Sequence, residues 1–221
     1  MIGELRFRKP MERSVKVGLL AVSALTCLFV FTASSGVKVL STVGPPELLS
    51  NPGFETPVLP AGGWAPVRGS GWQAFTSGTA ELMTIWGGAA RTGNQSVRFV
   101  SHGTPNFYQG LFQAVSVTPG ETYHFSVYVQ NDSTQPLKGS VIGQLSIEWH
   151  DANGGEAGRL WSPAWGASLP ATEWTKFEVQ GAAPPNAAKA HCVIVEKGQG
   201  QPVANCVFLV DDASVVKASG E

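Results

Sequence analysis

Alternation of apolar and polar positions dominates the chain beyond residue 47. In 122–130, Tyr123, Phe125, Val127 and Val129 point one way and His124, Ser126, Tyr128 and Gln130 the other, the period-two signature of a half-buried strand. The stretch 144–150 repeats it, with Leu145, Ile147 and Trp149 opposed by Gln144, Ser146, Glu148 and His150. Further strand-like runs lie at 80–86, 96–100, 111–118, 174–179, 189–196 and 206–216, with an opening run at 48–55. Turn sequences such as Pro119-Gly120 and Asp151-Ala152-Asn153-Gly154-Gly155 separate them. Helical periodicity is missing from this part of the chain. The pattern predicts an all-β protein, an antiparallel β-sandwich of jelly-roll type with about eight or nine strands. The Gly- and Pro-rich stretch 57–78 is expected to be an irregular loop whose Trp64 and Trp72 plug one end of the sandwich, rather than project as a contact surface.

The first 35 residues break this pattern. A basic stretch precedes an uncharged apolar run from Val17 to Ala33, followed by Ser34-Ser35-Gly36. This is the layout of a secretory signal, at the lower limit of the length that spans a membrane. The chain divides into a signal peptide or membrane anchor (1–35), a linker (36–46) and a sandwich (47–217), and is expected to be secreted or extracytoplasmic. Cys27 follows Thr26 rather than a small residue, which argues against lipid attachment. Only 14% of residues are charged, against about a quarter in an average protein. Five of the fifteen basic residues precede Val17 with only two of the sixteen acids, leaving the sandwich mildly acidic. Such a surface has no phosphate-binding footprint, which disfavours nucleic acid as a partner. A membrane enters only through the N-terminal segment, if it is retained.

Beyond that segment only Cys192 and Cys206 remain, flanking the turn-rich Gly198-Gln199-Gly200-Gln201-Pro202. In an oxidising compartment they are expected to form a hairpin-closing disulfide; the alternative is two buried thiols.

Five segments in order look like the landmarks of one family. They are Leu48 to Glu55 (Leu-Leu-Ser-Asn-Pro-Gly-Phe-Glu), Arg91 to Phe99, Phe112 to Tyr123, Ile147 to Gly154, and Leu209 to Val215 with its paired acids Asp211-Asp212. The chain from about 47 to 217 thereby resembles carbohydrate-binding modules of the family 4/9/22 type, with a galactose-binding-like jelly roll. That resemblance implies a structural Ca2+ where the two chain ends meet. Its ligands by position would be carbonyls of Gly53, Arg91 and Asn94 and the carboxylates of Glu55 and Asp211, an oxygen set that suits a hard cation. Solvated turn carboxylates are the alternative for Glu55 and Asp211.

The resemblance also implies a polysaccharide or oligosaccharide partner. Sugar sites combine exposed aromatic rings with polar side chains that fix hydroxyls. The outward positions of the two alternating strands offer Tyr128, Gln130, Glu148 and His150, with His124 and Gln144 beside them. The loop that holds a key aromatic in such modules carries Phe107 and Tyr108, and the loop after Arg159 offers Trp161 and Trp165 as a second wall. Packing roles are favoured for Trp64, Trp72, Trp149 and Trp174. Catalysis is not expected, because Glu148 and Asp151 are an odd number of positions apart and a straight strand turns them to opposite faces. The rival reading is a structural, adhesion or protein-interaction sandwich without a sugar site.

Overall fold

The computed structural model describes residues 44–201 and 203–218. The expected signal or anchor segment and most of the linker lie outside the described residues. Among the described residues eleven strands form two antiparallel sheets. The larger contains β1 (Trp64–Pro66), β3 (Met83–Trp86), β4 (Ser96–His102), β11 (Ala204–Lys217), β6 (Thr122–Asn131) and β9 (Thr175–Ala182), in that order. The smaller contains β2 (Gln73–Thr76), β5 (Tyr108–Ser116), β10 (Lys189–Gly198), β7 (Val141–His150) and β8 (Glu156–Trp161). The described residues contain no helix.

The expected alternation decides which side chains form the core. Tyr123, Phe125, Val127 and Val129 of β6 are buried, as are Leu145, Ile147 and Trp149 of β7 and Val97 and Phe99 of β4. Phe99 stacks on Phe208 of the neighbouring β11 at 4.6 Å between centroids. Tyr123 meets Trp149 edge-on at 6.0 Å, joining the two sheets, and its hydroxyl accepts the Thr118 N–H at 2.9 Å.

Three expectations need correction. The opening run 48–55 is not a strand. One isolated bridge, Glu47 to Val216, precedes it, and it then turns through Asn51 and Phe54, whose φ of 50° and 56° are left-handed and incompatible with strand geometry. Two buried amides satisfy its backbone instead. Gln113 accepts the Ser50 N–H at 3.0 Å and donates to the Ser50 carbonyl at 2.6 Å, and Gln95 donates to the carbonyls of Phe54 and Pro57. Second, the stretch 57–78 contains the short strands β1 and β2. Trp72 is buried 5.2 Å from Phe54, whereas Trp64, on the edge strand β1, is 68% exposed and plugs nothing.

Third, Cys192 and Cys206 are free, buried thiols. The turn-rich residues between them do not close a hairpin but carry the chain from β10 in one sheet to β11 in the other. Facing sheets lie about 10 Å apart, beyond the roughly 7 Å between Cα atoms that a disulfide spans. Burial pushes the Cys192 thiol far above its ordinary range.

One core position carries a charge-capable group. On β10, Ala190, Cys192, Ile194 and Glu196 share the buried face. The Glu196 carboxyl accepts the Gln109 side-chain N–H at 2.6 Å, and its other oxygen has no partner. Burial lifts its pKa from 4.5 to about 8, so the folded protein keeps this proton at neutral pH. In the unfolded chain the carboxyl ionises near 4.5. Between these values the unfolded state binds fewer protons than the native state, and stability falls as pH rises. Glu196→Gln retains an acceptor for Gln109 and cannot ionise. Between pH 5 and 8.5 the melting temperature of wild type is expected to drop by at least about 5 °C more than that of Glu196→Gln; parallel melting profiles would contradict a buried protonated acid.

Candidate functional site

The outer face of the smaller sheet carries a groove of about 430 Å³. Backbone register fixes its floor. Trp161, Ser146, Val193 and Phe112 are successive cross-strand partners from β8 to β5, a row about 14 Å wide at the usual strand spacing. The neighbouring row aligns Arg159, Glu148 and His191. Towards the other end of β10 come Val195 and then Lys197, which faces Tyr108. Rings run along the floor in sequence. Tyr108 to Phe75 and Phe75 to Phe112 are each 6.3 Å apart, Phe112 to His191 is 4.8 Å and His191 to His150 is 4.1 Å. The two flanking aromatics stay open to solvent, Tyr108 at 50% and Trp161 at 42% exposure.

Charge is concentrated between these rings. Glu148 accepts the Ser146 hydroxyl at 3.1 Å and lies 3.3 Å from the Arg159 guanidinium. The Lys197 ammonium stands 4.2 Å from the centre of the Trp161 ring, and the Arg159 guanidinium 5.4 Å from it. Lys197 forms no ion pair among the described residues. Partial burial and then Arg159 pull its pKa down.

The structure places some of the sequence-derived site residues together and separates others. Tyr108, Glu148 and Trp161 line the groove, and His150 adjoins it through the contact with His191. Phe107 and Trp165 do not. Consecutive residues entering a strand point to opposite faces, so with Tyr108 outward Phe107 is buried, packed 5.7 Å from the His102 ring. Trp165 is buried against Phe177 at 4.8 Å and Phe208 at 5.7 Å, lying so close over Gly143 that any Cβ there would come within 2.1 Å of its indole nitrogen.

Tyr128 and Gln130 belong to β6 in the other sheet, so they are remote from the face that carries Glu148. The Arg91 guanidinium covers the Tyr128 ring at 3.4 Å, and Gln130 donates to the Ala171 carbonyl. The two alternating runs look alike in sequence, but they supply opposite layers of the sandwich. Phe75, Phe112, Arg159, His191, Val193, Val195 and Lys197 are groove residues that alternation did not single out. On β10 both faces are largely apolar, and only Lys189, His191 and Lys197 near its ends mark the outer one.

At the chain ends, the main-chain N–H of Leu48 donates to Val215 at 2.9 Å, and two carboxylates grip one turn. Glu55 accepts the N–H groups of Asn94 and Gln95 at 2.9 and 3.0 Å. Asp211 accepts those of Arg91 and Thr92 at 2.7 and 3.3 Å. Glu55 approaches the turn so closely that a Cβ at Gly93 would sit 2.2 Å from its oxygen; Gly93 also has a left-handed φ of 64°. A Cβ at Gly53 would lie 3.7 Å from an Asp212 carboxyl oxygen and 3.9 Å from Cγ of Glu55. The Asp211 side chain is buried, and burial raises its pKa to about 7. The nearby cation, Arg91, pairs with Asp212 instead at 2.6 Å. A buried carboxylate without a side-chain cation, on the same turn as a second carboxylate, fits a hard, oxygen-seeking ion.

Comparison with known proteins agrees with this architecture. A family 61 carbohydrate-binding module solved in complex with β-1,4-galactotriose superposes with a TM-score of 0.50 at 19% identity, covering 78% of this chain and 99% of that one. The enzymatically active domain of tailspike protein 4 from bacteriophage CBA120 gives 0.51 at 12% identity, covering 66% of this chain but only 19% of that one. At these identities the likeness is one of fold. No curated protein matches the sequence. The family model described as "Carbohydrate binding domain" matches residues 46–202, most of the chain, and the protein belongs to that family.

Proposed function

We propose that this chain is a non-catalytic, exported polysaccharide-binding protein that holds its ligand in the groove of the smaller sheet. The observation that carries the reading is the line of rings from Tyr108 through Phe75 and Phe112 to His191, with Trp161 on the far edge. Apolar C–H faces of pyranose rings stack on such surfaces, and Glu148, Arg159 and Lys197 stand where hydroxyls would need hydrogen bonds. Glu148 is the one carboxylate among the residues lining the groove. Glycoside hydrolysis ordinarily uses two carboxyl groups roughly 5–10 Å apart, which supports binding rather than cleavage. Export rests on the apolar run 17–33 behind its basic stretch.

The structural calcium is part of the same proposal. Glu55 and Asp211 would hold it with carbonyls of Gly53, Arg91 and Asn94. When bound, it would supply the positive charge that the buried Asp211 lacks. The residues themselves already tie the opening segment, the 91–95 turn and the middle of β11 into one unit.

Two measurements test these readings. A panel of soluble polysaccharides that includes β-1,4-galactan should contain at least one ligand for wild type. Trp161→Ala and Tyr108→Ala should each weaken it by at least about tenfold, the scale of losing an aromatic anchor, while Trp64→Ala on the opposite sheet should not. Equal binding by Trp161→Ala, or a wild type that retains no glycan, would remove the groove from the account. For the ion, stripping with a calcium chelator should lower the melting temperature by several degrees and re-addition should restore it, because a ligand bound only by the native state stabilises it. A melt unaffected by chelation speaks against calcium at Glu55 and Asp211.

A further inference from the structure

Where the groove approaches the 151–155 turn, three metal-ligating side chains converge on the outer face of the smaller sheet. Glu148, His150 and His191 offer ligand atoms that all lie within 4.8 Å of one another. Two adjacent strands hold them. Glu148 is the direct cross-strand partner of His191, and His150, paired with Lys189, stands two residues along on the same face. The sequence gives no metal-motif spacing here, because His191 lies 41 positions after His150 and only strand pairing brings them together.

A second observation points to a missing partner. The Nε2 atom of His150 is buried and has no hydrogen-bond partner, while Nδ1 lies 3.2 Å from the Gly154 carbonyl. That carbonyl can only accept, so Nδ1 carries the proton and Nε2 presents a lone pair. This is how metal-bound imidazoles are oriented by their surroundings. Glu148 can be released to a metal: Arg159 also holds Glu156 through two hydrogen bonds, at 3.1 and 3.0 Å, against a single 3.3 Å approach to Glu148.

We propose that Glu148, His150 and His191 bind a transition-metal dication of the zinc class at this end of the groove. Two imidazoles and one carboxylate suit zinc, copper or nickel better than calcium or magnesium, which prefer sets made wholly of oxygen. Arg159 and Lys189 nearby weigh against binding by charge alone and favour ions that gain from nitrogen ligands. Ligand atoms around zinc lie ~3.4 Å apart at bond lengths of about 2.1 Å, so modest side-chain rotations complete the site. Three protein ligands leave a fourth position free. It opens towards the groove, because Glu148 and His191 both line it. The site stands independently of whether the groove takes a glycan.

Calorimetric titration of the full chain with zinc chloride, at pH 7.5 and with calcium in excess, reads the proposal directly. Wild type should bind one zinc per chain, and His150→Gln and His191→Gln should each weaken binding by at least about tenfold. His124→Gln, on the other sheet, should bind as wild type does. Melting curves without zinc check that the variants fold, and cobalt, bound in the same place, should give a visible ligand-field spectrum that the double variant His150→Gln/His191→Gln loses. No stoichiometric zinc on wild type, or unchanged affinity in the folded double variant, overturns the site. A zinc site that persists in a protein retaining no polysaccharide would count against the glycan reading alone.

Discussion

Because successive side chains on a strand point to opposite faces, burying one set commits the other to the outside. The inward set of the smaller sheet, Leu111, Leu145, Ile147, Trp149 and Ile194, packs against Phe99, Phe125, Val127 and Phe208 of the larger one. Once that packing is in place, Phe112, Glu148, His191 and Lys197 have no choice of side. The groove is therefore a by-product of the core. Its residues share a face because their neighbours are buried, and they line up because antiparallel register pairs Trp161 with Ser146, Ser146 with Val193 and Val193 with Phe112.

The same commitment explains an unusual distribution of charge. Glu196 falls on the buried face of β10 and is neutralised by protonation, whereas Lys197, one residue on, faces the groove and has no ion-pair partner among the described residues. The two cations beside Trp161 are thus held close together over an aromatic ring. An electron-rich surface of this kind accommodates them, and it leaves the unpaired Lys197 ammonium facing the groove.

The opening segment shows a different solution to the same physical demand. It buries Leu49 and Phe54 at the end of the sandwich but its backbone forms no ladder, so side-chain amides and carboxylates replace the missing strand partners. Gln95 and Gln113 serve residues 50–59, and Glu55 and Asp211 serve the 91–95 turn. The acidic residues that look in sequence like surface turn residues are therefore structural. Asp211 is fully buried, with its pKa raised by that burial.

Local pattern alone determined the all-β class, the antiparallel sandwich and the inward sets of β6 and β7, and the family resemblance implied the meeting of Glu55 with Asp211 at one turn. These follow from short-range alternation, or from motifs that travel together in one family. What local pattern does not contain is the assignment of each strand to a layer. Strands β6 and β7 read as equivalent, and only the order of pairing put Tyr128 and Gln130 on one outer surface and Glu148 and His150 on the other. The same crossing between sheets after β10 left Cys192 and Cys206 unpaired, and the direction of one peptide turned Phe107 inward and Tyr108 outward. His191, 41 residues from His150, became its neighbour through long-range pairing alone. Period two tells which residues share a side of a strand; which strand lies beside it is settled by packing across the whole molecule.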